Sequence, residues 1–365
     1  MTSGASLHPL HSVFELESCC GSSWKSIREA AEATEDTVQR LNGSLDSSFN
    51  SEDYSIVVFG SLARHEFTPY SDLDWTLLVD GLASDNHWDV ARRVREAVKE
   101  VVNKEPGREG TFGSLAFAHE LLHQIGGPDD TNRNTTRRIL LLLESRAFGR
   151  KDAYDRVVRG ILGRYLAEDD AFRNWRSEFP VPRFLLNDFA RFWWTMTVDF
   201  AYKRRTRDGS GAVLRNIKLR MSRKLIYAAG LLACFSLALD KSKLDEMKGV
   251  DGQLSGDCSV EARVNYFKDL LSKAPLEILA RHLMSHMHLT EVAKKVFEAY
   301  DKFLGVLSDE ATRHELEKME AGKREESALY KDVREVTRQF RDGLLAIFFD
   351  QKSGLEKLTK LYGVF

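Results

Sequence analysis

Strand-forming signals in this chain are confined to its first third, and that segregation limits the folds open to it. The run Tyr54–Phe59 is short, apolar and rich in β-branched residues, which suits a buried strand. Leu73–Val79 alternates. Leu73, Trp75, Leu77 and Val79 share one face, expected to be the core face, while Asp72, Asp74 and Thr76 share an open one. Phe112–Leu121 is a third strand candidate. From Tyr154 onward apolar residues recur every three or four positions, through 185–203, 214–239, 260–274, 289–306 and 326–348, so this part reads as helix throughout. The expected class is α+β, a small mixed-sheet domain followed by an all-helical one. The expected boundaries are a loose lead-in with one helix over 1–45, the sheet domain over 46–155 and the helical domain over 156–365.

Composition narrows the function classes. A chain that is 43% hydrophobic and 30% charged with only seven prolines is an ordinary folded protein, neither disordered nor fibrous. The net charge of −2 removes any general pull toward polyanions, so no DNA partner is expected, although a local basic surface is compatible with it. Cys19, Cys20, Cys234 and Cys258 form no metal or disulfide spacing, which fits a reducing compartment. Residues 1–21 lack a signal peptide's pattern, and the apolar stretch 225–239, interrupted by Gly230 and Ser236, is short for a membrane span. A cytoplasmic protein without membrane contact is expected.

The chemistry lies between the first two strands. After Phe59 come Gly60 and Ser61: glycine lets the backbone approach a ligand, and Ser61 would cap a short helix whose free N–H groups suit a phosphate. That helix must end before Thr68, because Pro69 disfavours helical geometry there. Asp72 and Asp74 then stand on one face, where two carboxylates repel unless a cation sits between them. Paired Mg²⁺ (or Mn²⁺) ions bridging them to a triphosphate would relieve that repulsion.

This unit resembles the nucleotidyltransferase superfamily with the DNA polymerase β-like palm. It is most similar to the PII uridylyltransferase branch, whose pattern falls here on Gly60, Arg64, Glu66, Ser71, Asp72 and Asp74. The similarity continues through Leu141–Arg146 and, more faintly, Val213–Ile217, where Val213 and Asn216 depart from the family's Gly and Asp. The resemblance implies transfer of an NMP from an NTP, with Gly60, Ser61, Arg64 and Ser71 at the nucleotide and Asp72 and Asp74 on metal. Such a palm draws a third carboxylate from a later strand, and Glu120 is the candidate. The acceptor would be a nucleotide, as in oligonucleotide signal synthesis for anti-phage defence, or a protein side chain. A homo-oligomer or a partner protein is compatible with either. An inactive palm serving as nucleotide sensor or scaffold is the competing class.

Other features compete or contribute. His119, Glu120 and His123 match the H-E-x-x-H pattern of zinc proteases, with Asp129 as a further ligand, but the strand-like approach through Phe112–Ala118 disfavours the helix that motif needs. Lys218 borders the apolar stripe Leu214, Ile217, Met221 and Leu225. It and Arg215 are expected at the triphosphate, while Arg220 and Arg223 are expected to point into solvent. Lys203–Arg207 reads as a cationic helix end, or as a grip for RNA. Phe192, Trp193, Trp194 and Phe200 read as core. So does Trp88, on a helix begun by Asp85, together with Ala91, Val94 and Val98. Asp130, Thr131 and Asn132 are expected to cap the next helix.

Overall fold

In the computed structural model, the residues described are 7–45, 49–102, 104, 112–169, 179–206, 209, 211–248, 256–320 and 322–363. Four strands, β1 (Tyr54–Phe59), β2 (Asp74–Val79), β3 (Ser114–Phe117) and β4 (Ser145–Phe148), form one mixed sheet in the order β3-β2-β1-β4. β1 runs antiparallel to both β2 and β4, and β2 runs parallel to β3. Within and around the sheet lie α1 (His11–Cys19), α2 (Lys25–Ser44), α3 (Asn86–Val101), α4 (Ala118–Leu122), α5 (Asn132–Leu143) and α6 (Asp152–Glu168). The described residues beyond that point carry helices and no strand: a small mixed-sheet unit precedes a largely helical region, an α+β architecture.

Both faces of the sheet are buried. Alternation sends Ile56, Val58, Trp75, Leu77 and Val79 into a core with α2 and α3, while Val57, Phe59 and Leu78 join the larger core of the helical region. The face expected to be open is therefore covered along most of its length: Thr76 and Leu78 are buried, and only the Asp74 end is left accessible. α3 buries a stripe centred on His87, Val94 and Val101. Trp88 lies six residues before Val94, about 120° around the helix at ~100° per residue, and is exposed instead of core. The lead-in is not loose either. α1 buries Val13 and Leu16, and α2 runs on through Asn42 and Gly43 to Ser44.

The helical region comprises α7 (Arg183–Thr206), α8 (Ala212–Leu239), α9 (Lys241–Lys248), α10 (Gly256–Leu271), α11 (Pro275–Met284), α12 (Thr290–Ser308), α13 (Glu310–Lys318), α14 (Ala328–Phe348) and α15 (Leu355–Leu358). Local signals set its boundaries. Pro275 opens α11, Asp309 accepts the Thr312 N–H at 2.8 Å to start α13, and Ser327 accepts the Tyr330 N–H at 3.2 Å to start α14. α5 begins the same way, with Thr131 accepting from Asn134 at 3.2 Å; Asp130 is spent on buried ion pairs with Arg138 and Arg191.

α8 is long and apolar enough to cross a membrane by length and composition, but α7 and α11 pack against it and its apolar residues fill the central core. It is not regular: Leu219–Arg223 is a π-helical turn, which inserts a residue and turns everything after it around the axis.

α12 and α14 pack closely at Gly343, where an added Cβ would lie 2.2 Å from Val296 Cγ2. Gly343→Ala is expected to destabilise the protein by about 1–2 kcal/mol, overpacking outweighing the helix-propensity gain. In a Val296→Ala background the same change should become neutral or stabilising. Denaturant unfolding of the four proteins checks this, and an unchanged sign in both backgrounds refutes it.

Candidate active site

β1 ends at Phe59, which is paired across the ladder with Asp74, so the Asp74 side chain begins β2 on the face turned toward the helical region. Gly60 follows with φ +77°, and a Cβ there would sit 4.0 Å from Asp74 Oδ2. Glycine is therefore needed for the left-handed turn that brings the backbone beside the carboxylate. The short helix expected at Ser61 does not form. Gly60–His65 is a turn in which the Arg64 N–H donates to the Gly60 carbonyl at 3.1 Å and the Glu66 N–H to the Ser61 carbonyl at 2.8 Å. His65, at φ +61°, ends it.

The return to the sheet is fixed by Ser71. Its hydroxyl accepts the Thr68 N–H at 3.1 Å and shares a 3.0 Å hydrogen bond with the Thr68 hydroxyl. Ser71 lines the cleft, but in this conformation its bonds hold the loop that delivers Asp72. Both Asp72 and Asp74 are half-buried and line one cleft with Gly60 and Ser61.

The opposite wall comes from the helical region, through Lys218, Ser222 and Arg223 of α8, Leu304 and Leu307 of α12, and Arg313 of α13. Burial pushes the Lys218 ammonium down to about 8; the Asp72 carboxylate pulls the other way, and the cations of Arg313, Lys104 and Arg223 add to the depression. Lys218 thus remains mostly charged at neutral pH. Arg313 donates to the Tyr70 carbonyl at 2.5 Å, beside the loop that carries Asp72.

Below the cleft lies a buried ionic network. Arg64 pairs with Glu66 at 2.9 Å and also with Glu144; Arg223 reaches Glu144 at 2.9 Å, and the Tyr300 hydroxyl donates to Glu66 at 2.9 Å. Arg64 lines the cleft, and in this conformation its guanidinium pairs with two carboxylates. Arg223 was expected in solvent. The π turn rotates it from the outer side of α8 to the side of Lys218.

Two expected residues are not brought here. Arg215 packs beside Gly211, where an added Cβ would lie 3.1 Å from its Nη1, and does not line the cleft. Glu120 is on α4, not on a strand, since β3 stops at Phe117. Glu120 does not line the cleft, although the Arg137 beside it reaches the Ser114 hydroxyl of β3, level with Thr76, at 3.5 Å. It is half exposed and stands 4.0 Å from Arg137. The neighbouring His119 and His123 have ring centroids 5.0 Å apart, but α4 has only five residues and no group of three metal-capable side chains exists among the described residues. The zinc-protease arrangement is therefore absent from them. Sequence reasoning missed Ser222, Arg223 and Arg313; Ser222 is four residues from Lys218 and so shares its side of a regular helix, Arg223 was hidden by the π turn, and nothing local to Arg313 marks it.

A profile described as a nucleotidyltransferase domain matches residues 38–116, less than a quarter of the chain, spanning the end of α2 through β3. A nucleotidyltransferase-type domain is therefore present over this part. No curated protein and no solved structure matches the chain.

The turn also carries a pH-sensitive group. Burial, then the charge of Arg146 and the nearby His8, lowers His65 from 6.5 to about 4, so the fold holds it neutral; Glu35, 3.4 Å away, is shared with Arg146 at 3.5 Å. The unfolded chain takes up that proton first, so stability present above pH 6.5 is lost as pH falls toward 4, by about 3 kcal/mol from this residue. His65→Asn, which tolerates positive φ, should flatten that part of the stability–pH curve. An unchanged slope in urea titrations between those pH values would contradict it.

Proposed function

We propose that the protein moves an NMP from an NTP to an acceptor hydroxyl with release of pyrophosphate, in a reaction dependent on Mg²⁺ or Mn²⁺. The observation that carries this reading is the convergence of the Gly60–Ser61 turn, two carboxylates and the Lys218 ammonium on one cleft, within a nucleotidyltransferase-type domain. The donor set suits a hard cation. Asp72 and Asp74 offer only oxygen, and with no third His, Cys, Asp or Glu grouped with them among the described residues, they would supply only part of a cation's ligands. Mg²⁺ commonly takes one or two protein carboxylates and completes its shell with water and substrate phosphates. The bound ion supplies neutralisation of the phosphates and of the departing pyrophosphate.

The chain's own groups then have distinct tasks. Asp72 and Asp74 hold the cation, Ser61 and the turn backbone meet the phosphates, and Lys218 places a fixed positive charge against the triphosphate. The acceptor is a nucleotide, giving an oligonucleotide product, or a protein side chain. The cleft in this conformation holds about 60 Å³, against the ~300–1,000 Å³ of ordinary ligand sites.

Incubation with each labelled NTP and Mg²⁺ or Mn²⁺, with products resolved by mass, tests the reading. New phosphodiester products identify a nucleotide acceptor, and added NMP mass on a polypeptide identifies a protein one. Asp72→Ala and Asp74→Ala should each abolish transfer with melting unchanged, and Lys218→Met should weaken NTP binding about tenfold or more. Near-wild-type turnover in either aspartate variant refutes the mechanism. Tight NTP binding with no transfer by the wild type refutes it too and makes the domain a nucleotide sensor.

A further inference from the structure

A second concavity lies on another side of α8, and its chemistry differs from that of the cleft. It encloses about 850 Å³, enough for several nucleotide units, where the cleft holds about 60 Å³. Three stretches of chain line it: Arg220 and Lys224 from α8, Arg324 from the turn before α14, and Lys331, Arg334, Arg338 and Arg341 from α14 itself. Seven cationic side chains face two carboxylates, Glu325 and Glu335, in a chain whose net charge is −2. The gathering is therefore local and runs against the average.

Ion pairing on the surface does not discharge it. Arg334 reaches Glu325 at 2.7 Å, Arg341 reaches Asp342 at 2.6 Å, Arg324 reaches Glu325 at 3.6 Å and Arg338 lies 3.8 Å from Asp342 and 3.9 Å from Glu335, but these are exposed pairs of the kind that contribute little in water. Arg220 and Lys224 have no carboxylate within ion-pair distance among the described residues. The Lys224 ammonium is pushed down by burial and by the neighbouring charges of Arg220 and Arg341. Like charges held together by packing and outnumbering their carboxylate partners form a site for an anion with several charges.

The shape is linear. Lys331 to Arg341 spans ten residues of one helix, about 15 Å at ~1.5 Å per residue, and α14 packs along the stretch of α8 that carries Arg220. An adjoining hollow continues the cationic strip through Arg220 and Arg324 to Arg204, near the end of α7. Aromatic rings lie among the cations: the Arg324 guanidinium sits 5.6 Å above the ring of Tyr330, which lines the groove, and Lys224 Nζ sits 5.9 Å above the Trp193 ring, which stacks on Tyr227 at 5.5 Å. Trp193 and Trp194 were expected in the core; the first is half-buried and the second is 65% exposed. A cationic row with aromatic rings among its members suits a phosphodiester strand.

We propose that this groove binds single-stranded nucleic acid, seating about two or three consecutive phosphates of an unstacked strand, which are spaced more widely than the ~3.4 Å rise of a stacked one. None of its lining residues lines the catalytic cleft, so the strand site does not depend on the reaction proposed there. A compact oligophosphate would meet the same cations but would use neither the length of the groove nor its rings.

Fluorescence anisotropy with labelled single-stranded RNA and DNA of about four and about twelve nucleotides tests this, at two salt concentrations. The wild type should bind, more tightly to the longer strand, with affinity falling as salt rises. Arg334→Glu/Arg338→Glu should weaken binding at least about tenfold and lower the salt dependence, with the melting temperature retained because both side chains are exposed. If that double variant melts early, Arg338→Gln gives the same reading without charge reversal, and Lys224→Ala should also weaken binding. Asp74→Ala should bind the strand as the wild type does. No binding by the wild type, affinity indifferent to the charge changes, or displacement by tripolyphosphate as readily as by the longer strand would each overturn the proposal.

Discussion

The buried cluster around Arg64 sets the geometry of everything above it. Its guanidinium joins Glu66, on the turn that follows β1, to Glu144, at the junction of α5 and β4. Glu144 takes Arg223 from α8, and Glu66 takes the Tyr300 hydroxyl from α12. Two cations and two carboxylates balance, and burial pushes the Glu66 carboxyl up against the opposing pull of Arg64 and Tyr300. Breaking such a cluster by removing one member leaves a buried charge unpaired, a cost of about 3–5 kcal/mol. The turn at Gly60 and the helical wall are thereby tied together, which is why Lys218 and the two aspartates meet across so narrow a gap.

The sequence patterns that were legible are those in which local chemistry and tertiary structure agree. Alternation in Leu73–Val79 marks the core face because Trp75, Leu77 and Val79 do pack against α2 and α3. The spacing from Gly60 to Asp74 was readable because a left-handed glycine and a strand-initiating aspartate are both local requirements. Glu144 belongs to the Leu141–Arg146 stretch and Arg64 to the Gly60–Asp74 unit, and their ion pair joins the two stretches on which the family resemblance rests.

The misplaced residues share a different cause. Glu120 was assigned by extending a strand through Phe117, but the chain turns into α4 there, and no local rule says where a short edge strand stops. Arg223 was placed by a regular period of 3.6, which the π turn at Leu219–Arg223 breaks. Trp88 was counted as core because it is large and apolar, while the buried stripe is centred one residue away, on His87. Arg313 reaches the cleft only through the packing of α13 near the Tyr70 loop, a long-range relation with no sequence period to reveal it.

Net charge misleads in the same way, because it averages what packing separates. Carboxylates are withdrawn into the interior beneath the cleft, where Glu66 and Glu144 are nearly inaccessible, and on other surfaces acids are interleaved with bases. α14 instead lines up Lys331, Arg334, Arg338 and Arg341 at three- and four-residue spacing, which puts them on one side of the helix, and α8 answers with Arg220 and Lys224. The π turn is what allows a single helix to serve two purposes: it brings Arg223 round to the cleft beside Lys218, while Arg220, three residues earlier, is left on the groove side. A regular helix through the same residues would keep Arg223 about 180° from the Leu214–Leu225 stripe, at ~100° per residue, and take away the charge that meets Glu144.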